Sequence, residues 1–463
     1  YATVIHEMTH HAENIGLFKS DEILKAAFKR LALRGSSKQA ANLKIRTIGS
    51  TDRREWENAH EIIAHAVDKH MTGKGNQLTE AIYEVLKEKA DVYTVTRNTK
   101  DEMTTSVPED RVFRYASHYG KSGFVYFLKA LVSPMYYREL AYLKREKKLA
   151  FSNAKRALKT LMRAFHFETF LKKVRSRADG ECVLYTYWND YTALAAALAA
   201  KNGDRVVSRI HRADLYLNEG NGYYIPYKNE IARRIDKLVF ISRDGMDYYR
   251  ENFEIDDSKC LLSYLGVKEG KRPERPCADG PIKILSFSYM SPVKRVDRII
   301  DALSLTDGIK AEWTHIGSGM LADELKEKAE RELKGKENIK YELKGYMNHD
   351  DAMEYISDNS FDFLLNVSSS EGLPVTMMEC MARGMPVMAT DVGGVCEIVE
   401  NGKNGFMLKP DFTDGELVSA IKAYAEMSAD ERRKMSDCAY KKWQECFDCR
   451  KNYLEFCEEI LSL

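Results

Sequence analysis

The chain lacks a long apolar run, an excess of either charge and a spaced cysteine framework. No run reaches the roughly eighteen apolar residues that suggest a membrane span, so none is expected. Lys and Arg number 71 against 70 Asp and Glu, a formal net charge of +1. That balance argues against nucleic acid as a partner of the whole chain. The 9 cysteines are odd in number and scattered, which suits a reducing cytosol. Cys446 and Cys449 form a lone C-x-x-C in a charged helical tail, and without a second pair it carries no metal signal. No secretory leader is evident, although the sequence opens on Tyr1 and leaves a removed one open. What is present is 44% hydrophobic content, enough for sizeable cores, in 463 residues. That length suggests about two to four domains.

The most informative stretch runs from Asn366 to Asn401 (NVSSSEGLPVTMMECMARGMPVMATDVGGVCEIVEN). It reads as strand, tight loop, helix, strand, Gly-rich loop and helix. Pro374 suits the first helical position, where a missing N–H costs nothing. Met377, Met378, Met381 and Ala382 follow helical spacing, and Gly384 closes the helix. Seven residues separate the loop acid Glu371 from Glu379 in the second turn. Eight steps of about 100° do not return to one helical stripe, so the two carboxylates do not form a metal pair. They suit different ends of an elongated ligand. The backbone N–H groups of Gly372, Leu373 and Val375, near a helix start, suit phosphate.

This arrangement resembles the signature of glycosyltransferase family four, retaining enzymes of the GT-B fold. The resemblance covers about residues 76–463 and implies two Rossmann-like α/β domains facing across a cleft. It implies that Glu371 holds hydroxyls of the donor sugar, Glu379 the ribose, and the 372–376 loop (Gly372, Leu373, Pro374, Val375, Thr376) the diphosphate. Arg209 to Asp214 (RIHRAD) resembles the family's R-x-H-x-x-D segment, which places His211 over the sugar; a polar strand end in an open parallel sheet also faces the ligand crevice. Tyr289 to Lys294 (YMSPVK) resembles the family's arginine-to-lysine segment. Lys294 then neutralises the diphosphate as a point charge. Tyr289 stands where the family has arginine, and Arg295 is the candidate to compensate. Gly317 and Gly319 mark the next turn of the donor site, and Tyr346 the turn near the nucleotide base.

The resemblance implies a nucleotide-diphosphate sugar as donor and a glycan or lipid-linked acceptor, as in cell-envelope or polysaccharide synthesis. Transfer would need no metal. Retention would proceed by same-face attack, with the leaving phosphate taking the acceptor proton. Between Arg138 and Arg177 stand 13 Lys and Arg against 3 Asp and Glu. Interleaved with Phe124, Tyr126, Phe127, Leu131, Leu158, Leu161, Phe165 and Phe170, they suit either an anionic lipid surface or a helical hairpin with a solvated basic face. The expected location is cytoplasmic, peripheral on the inner face of the membrane.

Residues 1–75 differ. The sequence H-E-M-T-H places His6 and His10 one helical turn apart with Glu7 beside them. This is the H-E-x-x-H pattern in which two histidines bind zinc and the glutamate is the base. Glu61 is the candidate third ligand, with His60 and His65 as weaker substitutes. The segment resembles a fragment of a zincin-like metallopeptidase, so zinc is a candidate cofactor there. The expected division is therefore a helical segment at 1–75, an acceptor-side domain at 76–275, a donor-side domain at 276–440, and a C-terminal helix at 441–463 packing back. The family's first strand and Gly-rich loop are not found ahead of the helix expected at Leu78. Competing readings are a zinc peptidase, an inactive sugar-nucleotide-binding fusion, and another GT-B enzyme such as an epimerase or phosphorylase.

Overall fold

The structure is a computed structural model, and it describes residues 86, 90–96, 108–119, 122–216, 224–273 and 280–463. The expected zinc residues His6, Glu7, His10 and Glu61 lie outside the described residues.

Two short strands, β1 (Thr94–Thr96) and β2 (Val112–Arg114), pair in parallel. Helices follow at Gly123–Leu131, Pro134–Arg145 and Phe151–Arg175. The sequence suggests one break in this region, at Ser133–Pro134. The chain breaks again at 146–150, where Lys147 takes a φ of 54°, a left-handed conformation that ends a helix. Strands β3 (Val183–Thr186), β4 (Arg205–Ile210), β5 (Lys237–Phe240) and β6 (Cys260–Leu262) form a parallel sheet in that order. Its faces follow the two-residue period of a strand. Val206, Ile210, Leu238 and Phe240 join a core with the helices at 151–175, 191–199 and 228–234. Val207 and Val239 face the other way and meet Tyr453, Phe456, Cys457 and Ile460 of the helix Cys449–Leu461.

The second sheet holds β7 (Ile282–Phe287), β8 (Ala311–Ile316), β9 (Ile339–Gly345), β10 (Phe363–Asn366), β11 (Val387–Thr390) and β12 (Gly405–Leu408). All pairs are parallel, in the order β12-β11-β10-β7-β8-β9. Strand β12, not anticipated from the sequence, is only Gly-Phe-Met-Leu and is fixed by its ladder with β11. The chain starts in the middle, runs outward through β8 and β9, then returns to lay β10 on the other side of β7. The loops after β7 and β10 therefore leave the sheet at its topological switch point, where open α/β sheets bind ligands.

The two sheets are joined by two adjacent chain crossings. Val267 N–H donates to Phe447 O at 2.9 Å and Cys449 N–H to Val267 O at 3.2 Å. A Cβ on Gly266 would lie 2.3 Å from Cys449 Cα, so only glycine allows this approach. The helix Ala429–Cys446 stays with the second sheet through Ala439 and Trp443. The chain changes sides at 447–448.

Candidate functional site

The loops after β7 and β10 bring together a lysine and a glutamate 77 residues apart. Lys294 Nζ donates to Glu371 Oε1 at 2.6 Å, and Asn366 Nδ2, at the end of β10, donates to the same oxygen at 3.2 Å. The Glu371 side chain is 8% exposed and that of Lys294 27%. Burial opposes ionisation of Glu371, but the Lys294 charge and its hydrogen bond prevail and hold the carboxyl below its usual range. The loop is braced from below. Ser368 N–H donates to Asn366 Oδ1, and Thr390 Oγ1 donates to Ser368 O.

Arg295, the candidate to compensate for the arginine position held by Tyr289, is engaged by the backbone. Its guanidinium donates to the backbone oxygens of Val367 (2.6 Å), Pro410 (2.9 Å) and Ser368 (3.1 Å), so it clamps the Glu371 loop. Tyr289, next to the site, is half-buried. Gly317 has a φ of 140°, and a Cβ there would sit 1.9 Å from Ser288 O. A Cβ on Gly319 would sit 2.4 Å from Met290 O. The two glycines let the turn after β8 lie against the turn after β7, where Met290 N–H reaches Ser318 O. Buried His315 holds that layer, with Nδ1 2.8 Å from Ser286 Oγ and Nε2 3.2 Å from Ser288 O. Tyr346, after β9, is 69% exposed.

The helix Val375–Met381 has Pro374 as its N-cap, one position earlier than the sequence suggests, and no side chain caps it. Gly372 and Leu373 are buried, while Val375 and Thr376 are half-buried. Gly393 packs its backbone over this loop: its φ is 53°, and a Cβ would be 2.0 Å from Glu371 O. In the second turn Glu379 Oε1 is 2.6 Å from His349 Nε2, a partner that nothing in the sequence singles out.

His211 follows β4 and packs against the rings of Tyr187 and Trp188 at 4.3 and 4.8 Å. Burial, then the nearby Arg209 charge, push its pKa down to about 3, so the ring is neutral. Its Nε2 is buried without a hydrogen-bond partner among the described residues. Asp214 accepts from the N–H of His211 at 2.6 Å and of Asn189 at 2.5 Å. Buried Lys228 donates to Asn189 O (2.6 Å) and Oδ1 (2.9 Å). His211, Arg212, Ser242 and Gly372 line one narrow pocket. Arg212 Nε donates to Ser370 Oγ at 3.1 Å, and Glu397 accepts from the N–H groups of Arg243 and Asp244 at 2.8 and 3.1 Å. These contacts tie the two halves of the cleft. Among the described residues no group of three or more His, Cys, Asp or Glu is placed to hold a metal.

Residues 267–442 match the family model described as "Glycosyl transferases group 1". A curated relative, the putative colanic acid biosynthesis glycosyltransferase WcaL of Escherichia coli K12, is 24% identical over 235 residues, covering 49% of this chain and 57% of the relative. The chain thus spans little more than half the length of that relative. Among solved structures, the lipopolysaccharide outer core galactosyltransferase WaaB in apo form superposes with a TM-score of 0.59 at 18% identity, covering 84% of this chain and 96% of that one. Anabaena HepE in complex with UDP superposes with a TM-score of 0.52 at 18% identity, covering 64% and 82%. The fold is GT-B.

Proposed function

We propose that this chain, whose residues 267–442 belong to the group 1 glycosyl transferases, is a retaining glycosyltransferase. It moves a sugar from a nucleotide-diphosphate sugar to a glycan or lipid-linked acceptor in cell-envelope or polysaccharide synthesis. The Lys294–Glu371 pair at the switch point of the second sheet carries this reading. A cation there meets the diphosphate, where charge grows as the bond from sugar C1 to phosphate oxygen breaks. The 372–376 amides share that charge. Glu371 is beside the lysine and accepts sugar hydroxyls, and neutral His211 offers Nε2 from the opposite wall. The acceptor oxygen bonds C1 on the face the diphosphate leaves, and its proton passes to the departing phosphate oxygen. UDP in the HepE structure supports a uridine nucleotide as first probe.

A lipid-linked acceptor is supported by one surface. Phe124, Val125, Leu128 and Val132 recur on one side of the helix Gly123–Leu131 and are 67, 62, 43 and 72% exposed. With the basic 138–177 region, they suit an anionic bilayer surface. Among the described residues no helix is long and apolar enough to cross a membrane.

The test is turnover of labelled nucleotide sugars by the intact chain and by Glu371→Ala. Turnover by the intact chain that Glu371→Ala abolishes is expected; unchanged turnover in the variant overturns the assignment. Co-sedimentation with anionic but not neutral vesicles, lost in a Phe124→Ser/Val132→Ser double variant, is the expected result for the surface.

A further inference from the structure

We propose that His349 is a positioning residue of the sugar-donor site, fixing the Glu379 carboxylate so that one oxygen faces the ribose of the nucleotide. The inference rests on the reading of Glu379 as a ribose contact and adds the group that aims it. His349 opens the helix His349–Asp358, directly after the turn that carries Tyr346. Its Nε2 lies 2.6 Å from Glu379 Oε1, and both side chains are only 8% exposed. A carboxylate so far from water needs a partner, and the imidazole is one. It engages Oε1 and leaves Oε2 to a ligand hydroxyl.

A second contact fixes the two helices. Arg383 donates from Nε to Ser357 Oγ at 2.9 Å and from Nη1 to Glu379 O at 2.9 Å. Ser357 lies eight residues beyond His349 and Arg383 four beyond Glu379, so two polar rungs hold the pair in register. His349 Nδ1 makes no hydrogen bond. Asp350 Oδ1 lies 3.5 Å from it, while the Asp351 carboxylate accepts from Asn348 Nδ2. The hydrogen bond to Glu379 holds the imidazolium above the ordinary histidine range, against burial. As pH rises through that value the ring loses its charge and its grip on Glu379 weakens.

The experiment measures UDP binding by the intact chain, His349→Ala, His349→Gln and Glu379→Gln, from about pH 6 to about pH 9, with thermal midpoints as a check on folding. At the acid end His349→Ala should bind about tenfold more weakly, the usual size of a lost charge-assisted hydrogen bond. His349→Gln keeps an N–H donor and should approach the intact chain at the alkaline end, with a flatter pH profile. If His349→Ala lowers the thermal midpoint, His349→Gln alone carries the test. Unchanged binding by Glu379→Gln would overturn the ribose reading itself. Weakened binding by Glu379→Gln, with the His349 variants following the intact chain at every pH, would overturn only the role of His349. A uniform loss in those variants with the intact chain's pH profile would make His349 merely structural and also overturn it.

Discussion

At the scale of single residues, the site depends on charges placed where water is scarce. Replacing Lys294 by Met leaves Glu371 buried without its cation. Such a break costs about 3 kcal/mol, so lower stability together with lost UDP binding is expected, by chemical denaturation and calorimetry. Stability should also fall with acid. His211 and His315 are buried, with pKa values pushed down to about 3 and about 4 from the ordinary 6.5. The unfolded chain takes up protons below that ordinary value while the folded chain refuses them. The stability these neutral rings contribute is complete above about pH 6.5 and drains away as pH falls toward 4 and then 3. Denaturation curves across that range should show this slope, reduced in His315→Gln. Glu371, Lys294 and His211 could be read from the sequence because each sits in a short local pattern. His349, Lys228 and Arg212 could not, since their partners lie 30, 39 and 158 residues away and are neighbours only after the sheets form.

At the scale of elements, the loops are shaped by backbone contacts that admit no side chain. Gly393→Ala would drive a Cβ into Glu371 O at a positive φ, a strain of about 1–3 kcal/mol. Its expected signature is weaker UDP binding, by about tenfold for each 1.4 kcal/mol, with little change in secondary structure by circular dichroism. Glu397 caps the helix Arg243–Asn252 from the other domain and also accepts from Tyr264 OH at 2.7 Å. Glu397→Ala should cost about 1 kcal/mol, the usual weight of a helix cap, seen as a lower thermal midpoint. Strand, loop and helix around Glu371 were legible because Pro374, Gly384 and the methionine spacing mark them locally. Strand β12 was not, because four residues carry no period of their own. The second break in the 120–177 region was hidden too: Lys147 takes a left-handed turn that sequence pattern does not require.

At the scale of the whole molecule, consecutive helices cover the two sheets, Ala429–Cys446 on the second and Cys449–Leu461 on the first. Phe456 is buried, its ring tilted against that of Tyr185 at 5.3 Å and beneath the Arg209 guanidinium at 4.5 Å. Phe456→Ala should cost about 3–5 kcal/mol. Urea titrations followed at both domains should then show the first sheet melting earlier. The doubly wound order of the second sheet was legible from its repeating strand–turn–helix pattern, whereas the crossing at 447–448 depends on Gly266 and Val267 lying against it. The order of synthesis gives this arrangement a temporal meaning. Val239 leaves the ribosome roughly two hundred residues before Phe456, a wait of about 10–40 s at ordinary elongation rates. Throughout that interval the face around Val207 and Val239 lacks Tyr453, Phe456, Cys457 and Ile460. Until the helix Cys449–Leu461 arrives, that incompletely covered apolar face is a place where aggregation can start.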